Sequence, residues 1–129
     1  GKGGIGKSTV TSNISMVSGK NHKVLQVGCD PKHNSTALLL GGRLIPTVLE
    51  TSRDMGRNAV TREAILFKKE NHNIWCVEAG GPDPGMGYAG RGVVAALQIL
   101  EQLELYNEGF DFVLYDVLGD VVCGGFAMP

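Results

Sequence analysis

The first eight residues, "GKGGIGKS", set a lysine and a serine side by side at the end of a glycine run, in the spacing G-x-x-x-x-G-K-S/T. Gly1, Gly3, Gly4 and Gly6 leave backbone N–H groups uncovered, Lys7 has the reach for β- and γ-phosphate oxygens, and Ser8 offers a hydroxyl to magnesium. With Lys2, Ile5 and Thr9 completing the stretch, the chemistry implied is the cradling of a polyphosphate at a helix N-terminus. A second element belongs with it: "FVLYD" ends an apolar run on Asp116, where a carboxylate can hold Mg²⁺ directly or through water. Asp30 and Asp120 fall on other strand-end loops, suited to orienting an attacking water or responding to a terminal phosphate. Cys123, in "DVVCGG", sits beside two glycines that leave its sulfur uncovered, as a thiolate ligand of an iron–sulfur cluster requires.

Residues 80–92, "GGPDPGMGYAGRG", form a loop with few side chains of any reach, namely Met86, Tyr88 and Arg91. Glycine permits positive φ and close approach, and proline fixes φ, so the stretch is shaped around something. The other cysteines carry less chemistry: Cys76 lies within the apolar stretch "NIWCVEA" and reads as core, and Cys29 reads as structural. His22, His33 and His72 show no metal-ligand spacing and read as surface residues.

These residues need a scaffold that brings strand ends together. "KVLQVG", "NIWCVEA" and "FDFVLYDV" read as buried strands. "STVTSNISMVSGK" reads as a helix in which Val10, Ile14 and Val17 recur at spacings of four and three, with Gly19 as its stop. "GVVAALQILEQLEL" reads as a helix with Val94, Leu97, Leu100 and Leu103 on one face. Between them, "CDPKHNST" is a loop, "ALLLGGR" a brief helix ending at glycines, and "IPTVLETSRDMGRNAVTREAILFKK" holds one or two short helices, the second starting near Thr61 and Ala64. Strands alternating with helices predict a doubly wound, mostly parallel α/β sheet with ligands at the carboxyl ends of its strands. A phosphate loop normally follows a strand, so the expectation is one domain over 1–129, an internal piece lacking its first strand and its C-terminal part.

Composition narrows the function. The chain has 129 residues, 43% of them apolar, enough for one core. Its 19 glycines exceed the usual share of about 7% and cluster in discrete loops. A net charge of −1 offers no broad field for nucleic acid, and no apolar run reaches membrane-spanning length, so neither partner is expected. Three scattered cysteines suit a reducing, cytoplasmic setting.

With "GKGGIGKST", "VGCDPK", "VEAGGPDPG", "AGRGV" and "YDVLGDVVCGGFAMP" in order, essentially the whole chain resembles the nitrogenase iron protein family. The resemblance implies a P-loop NTPase fold with a deviant Walker A loop, in which Lys2 reaches the nucleotide of the opposite subunit. It implies a homodimer that binds MgATP at residues 1–9 and Asp116, and a 4Fe–4S cluster at its two-fold axis. Hydrolysis then gates electron delivery to a larger nitrogenase-type catalytic component, in nitrogen fixation. Lys2, Asp30 and Asp120 would be catalytic or switch residues, and Asp116 a magnesium and switch residue. Cys123 matches a cluster ligand, and Arg91 the arginine that docks the partner and is ADP-ribosylated in some members. Related iron proteins serve tetrapyrrole reductases, towards which "IPTVLE" leans slightly, and more distant relatives are clusterless ATPase switches. Three positions depart from the family pattern: Tyr88 stands where the second cluster cysteine would be, Asn34 where Asp is usual, and Ala37 where Arg is usual. Each subunit then offers one thiolate where the family pattern has two.

Overall fold

The computed structural model describes residues 5–29, 35–80, 89–117 and 120–124, with side chains over 12–29, 35–80 and 94–116. Three apolar segments form the parallel centre of the sheet. They are β1 (Val24–Cys29), β3 (Ile74–Glu78) and β4 (Phe112–Val117), with β1 in the middle and paired on both sides. Two short strands close the edges antiparallel: β2 (Phe67–Lys68) on β3 and β5 (Asp120–Gly124) on β4. The order is therefore β2-β3-β1-β4-β5, the mostly parallel α/β sheet that the sequence predicts.

Successive side chains alternate across a strand, so the sheet has two distinct faces. Leu25, Val27 and Cys29 of β1, with Val77 and Val113, face a core completed by Val48 of α2 (Val48–Met55) and by Ala96, Ile99 and Leu100 of α4 (Ala89–Gln102). Burying one such Leu or Ile contributes roughly 1.5–3 kcal/mol. On the other face, Val24, Ile74, Cys76 and Leu114 pack with Leu39 and Ile45, and Met16 of α1 (Ile5–Ser18) lies against them.

The α1 helix forms where the sequence places it, but with a different face inward. Ser12, Ser15 and Gly19 are buried, whereas Ile14 is 40% and Val17 68% exposed. The cause lies in β1, whose residues on this face include Gln26 and Gly28: Ser15 Oγ donates to Gln26 Oε1 at 2.7 Å. Gly19 seals the fit, since a Cβ there would come within 2.7 Å of Ile74 Cγ1. In α4, Leu100 is inside as expected, but Val94 is 54% exposed and Ala96 and Ile99 take the core positions.

The middle segment resolves into α2, a 3-10 turn (Arg57–Ala59) and α3 (Arg62–Ile65). Thr47 and Glu50 cap α2 reciprocally: Glu50 N–H donates to Thr47 Oγ1 at 3.0 Å and Thr47 N–H to Glu50 Oε1 at 3.1 Å. Thr61 is the N-cap of α3, as anticipated, though its side chain makes no capping bond. "ALLLGGR" is not a helix but successive turns, with Leu39 and Leu40 N–H groups on Thr36 O and Gly42 N–H on Ala37 O. Gly41 and Gly42 both take positive φ, which ends any helical continuation.

Candidate functional site

The carboxyl ends of the three parallel strands meet at one register: Gly28 of β1 lies opposite Glu78 of β3 on one side and Asp116 of β4 on the other. Both carboxylates are fully buried and project on the α1 face of the sheet. Gly28 makes room between them, because a Cβ there would fall within 2.6 Å of Ser35 Cβ and 2.7 Å of Glu78 Cδ.

Two consecutive residues bridge this gap. Ser35 Oγ donates to Asp116 Oδ2 at 2.7 Å, while Thr36 donates both its N–H, at 2.6 Å, and its Oγ1 hydroxyl, at 2.7 Å, to Glu78 Oε2. Gln26, one pleat back on β1, donates through Nε2 to Ser35 Oγ at 3.3 Å and to Ser35 O at 3.4 Å. Its own Oε1 accepts from Ser15 of α1, so one buried polar chain runs from α1 through β1 to the end of β4. Buried carboxylates are tolerated only when hydrogen-bonded, and this chain supplies donors to both.

Next to Glu78 the strand end is fixed before the glycine loop departs. Ala79 N–H donates to Gly28 O at 2.7 Å, and Leu49 N–H to Ala79 O at 3.2 Å. Gly80 then turns at φ +83°, and a Cβ would meet Thr47 Oγ1 at 2.8 Å, so only glycine fits where the chain leaves for residues 81–88.

The structure brings several predicted site residues to this end of the sheet. Ile5, Gly6, Lys7, Ser8 and Thr9 form the first turns of α1, so the helix starts inside the glycine-rich motif, and α1 packs against β1, β4 and β5. Asp116 is the penultimate residue of β4, near the strand end where it was anticipated. Asp120 and Cys123 belong to β5, paired with Val117 and Leu114, where the sequence reading had only a strand-end loop. Arg91 lies in the first turn of α4. The side chains of residues 5–9, Arg91, Asp120 and Cys123 are outside the described ones, as are Gly1, Lys2, Gly3, Gly4, Asp30, Asn34 and Tyr88 entirely.

Sequence reasoning missed Ser35, Thr36, Glu78 and Gln26. The signal was present in "NIWCVEA", where Glu78 ends an apolar strand just as Asp116 does. The readings of Cys29 and Cys76 as structural hold, since both side chains are buried in the core. Burial first, and then the negative Glu78 two residues on, push the Cys76 thiol up to about 12. No group of three or more His, Cys, Asp or Glu able to hold a metal occurs among the described residues. Among them, too, no helix is long and apolar enough to cross a membrane.

Comparison with known proteins bears on the family and the fold. The family described as "4Fe-4S iron sulfur cluster binding proteins, NifH/frxC family" matches residues 1–129. Nitrogenase iron protein 2 of Paenibacillus durus is 56% identical over 131 residues, covering 100% of this chain and 44% of that protein. The nitrogenase iron protein of Methanospirillum hungatei is 52% identical over 130 residues, covering 100% of this chain and 45% of that protein. The chain thus spans less than half the length of these curated relatives. Among solved structures, an ATP complex of a Cyanothece McdA variant superposes with TM-score 0.57 at 26% identity, over 86% of this chain and 42% of that one. The cell division ATPase MinD of Pyrococcus furiosus superposes with TM-score 0.55 at 27% identity, over 90% and 46%. The fold is therefore that of the P-loop ATPases.

Proposed function

The chain belongs to the NifH/frxC family of 4Fe-4S iron sulfur cluster binding proteins, and from that membership we propose that it is the nucleotide-binding segment of an ATP-dependent electron donor. In this reading it works as a homodimer beside a larger nitrogenase-type catalytic component. The observation that carries it is the position of Asp116, fully buried at the end of β4 on the face covered by α1, the helix that starts inside the phosphate-loop motif.

The residues present fit MgATP. The loop of residues 1–9 and the first turn of α1 would hold the phosphates, Lys7 the β/γ oxygens, and Ser8 and Asp116 the magnesium. Lys2 would act across the dimer, and Asp30 and Asp120 would orient water and respond to the terminal phosphate. Bound MgATP supplies a cleavable γ-phosphate whose loss differs between the two states of a switch. The chain's own contribution is to fix Asp116 through Ser35, so that its carboxylate is oriented before any ligand arrives.

The cysteines present do not fit an ordinary 4Fe–4S cluster, which takes four thiolates. Cys29 and Cys76 are enclosed in the core, so within residues 1–129 Cys123 is the remaining thiol, and two copies of this segment supply two. Tyr88 offers a phenol, a harder and more basic donor than a thiol. That shortfall favours a second reading, a nucleotide-switched ATPase of the same fold without a cluster.

Two measurements on the full-length protein separate these outcomes. Lys7→Ala is expected to weaken MgATP binding roughly 10- to 100-fold, the loss of one or two charge-assisted hydrogen bonds; unchanged affinity contradicts the nucleotide site. Iron and acid-labile sulfide per dimer, with EPR after anaerobic reconstitution, test the electron donor beside a Tyr88→Cys variant. A cluster in the unaltered protein supports the donor. A cluster in the variant alone supports the clusterless switch.

A further inference from the structure

Ser35 and Thr36 end the segment that carries Asp30 and Asn34, and each is bound to a different strand of the sheet. The Ser35 bond to Asp116 reaches the proposed magnesium carboxylate. The two Thr36 bonds go elsewhere, to Glu78 at the end of β3. Glu78 is fully buried in a strand otherwise made of Ile74, Trp75, Cys76 and Val77. An apolar residue of similar volume would suit that position at least as well for stability alone, because desolvating a carboxylate offsets much of what its bonds return.

We propose that Glu78 is a positioning residue of the nucleotide switch: by holding Thr36 it sets where Ser35 meets Asp116. The inference rests on the nucleotide-binding reading above and extends it to a residue outside the phosphate loop. Three features of the packing point to it. Both Thr36 donors converge on one oxygen, Oε2, which fixes the backbone and the side chain of the same residue. Gly28 is the residue between the two carboxylates, and any side chain there would push Glu78 and Ser35 apart. Glu78 is itself fixed from behind, since Ala79 N–H is tied to Gly28 O and the chain then turns at Gly80. A change in the Asp116 carboxylate on nucleotide exchange thus reaches Ser35, whose place is set by its neighbour Thr36 on Glu78.

The test compares Thr36→Val, Thr36→Ser and Glu78→Gln with the unaltered full-length protein, measuring MgATP and MgADP affinity and the amide-exchange rate at Ser35 in each nucleotide state. In the unaltered protein the two states are expected to differ in exchange rate at Ser35 by about 5-fold or more, the usual lower range for coupled sites. Thr36→Val and Glu78→Gln should bind MgATP within about 3-fold of the unaltered protein yet reduce that difference below about 2-fold. Thr36→Ser, which keeps both donors, should restore it. If Thr36→Val retains the full difference between states, Glu78 is a stability residue only and the proposal falls while the nucleotide site stands. If the unaltered protein binds MgATP but shows no difference between states, the switch and the proposal fall together. No MgATP binding at all overturns the nucleotide reading itself. Should Glu78→Gln fold poorly, the pair of Thr36 variants decides the matter.

Discussion

The two ends of the central strands use polar groups in opposite ways. At the amino end, Lys23 N–H donates to Asp111 Oδ2 at 2.8 Å, and the Lys23 ammonium sits 4.9 Å from the Trp75 ring and 4.8 Å from the Phe110 ring. His22 stands edge-on to Phe112 at 5.0 Å, and Asp111 N–H closes back on Lys23 O at 2.7 Å. These groups are partly open to water, so each contact is modest and replaceable. At the carboxyl end, Glu78, Asp116, Ser35 and Thr36 are sealed from water around a glycine. The first arrangement staples strands together. The second places buried carboxylates where apolar side chains would pack, and what it gains is a fixed position for Ser35 and Thr36 against the strand ends.

The largest expected effect breaks the sealed end. Gly28→Ala forces a Cβ against Ser35 and Glu78, and should destabilise the fold by about 1–3 kcal/mol in urea unfolding, as overpacking does. It should also weaken MgATP binding, which an equal loss of stability elsewhere would not.

Next comes alkaline pH. The folded pKa of Cys76, about 12, exceeds its ordinary value of 9.0, so its contribution is complete below pH 9 and is lost as pH rises towards 12. Tyr106 and Tyr115, hydrogen-bonded to each other at 3.0 Å, are raised as well, mainly by burial, and act in the same direction. The unfolding free energy from urea titrations should therefore fall between pH 9 and pH 10.5, by about 1 kcal/mol per pH unit. Cys76→Ala should lessen that slope, and an unchanged slope would assign it to the tyrosines.

The smallest effect belongs to the open end. Lys23→Met keeps the aliphatic stem and removes the cation over Trp75 and Phe110. It should cost about 0.5–1 kcal/mol in the same unfolding assay and leave MgATP affinity within about 2-fold. A larger loss of affinity would erase the distinction between the two ends.

The difference also explains what was legible in the sequence. The β1, β3 and β4 strands are apolar runs whose burial forces their identity, and Asp116 was readable because its run ends on a carboxylate. The inward face of α1 was misread because its pattern of Val10, Ile14 and Val17 belongs to the helix alone. The sheet opposite offers Gln26 and Gly28, to which serines are the better match. The bonds from Thr36 to Glu78 join residues 42 positions apart, and no periodicity reports such a pairing. Two-residue β2 is too short for any pattern, and its pairing with β3 alone defines it. "ALLLGGR" carries helical residues, but positive φ at Gly41 and Gly42 and the fixed Thr36 leave room only for turns.

Amide hydrogen exchange of the full-length protein with and without MgATP tests the central claim most directly, since it reads both ends of the sheet in one experiment. Exchange is expected to slow in the first turns of α1 and at Ser35 and Thr36, while Val24, Ile74 and Phe110 to Phe112 stay unchanged. Slowing of equal size at Lys23 and Phe110 to Phe112, or none at Ser35 and Thr36 when MgATP is bound, would contradict the assignment of the nucleotide response to the carboxyl end.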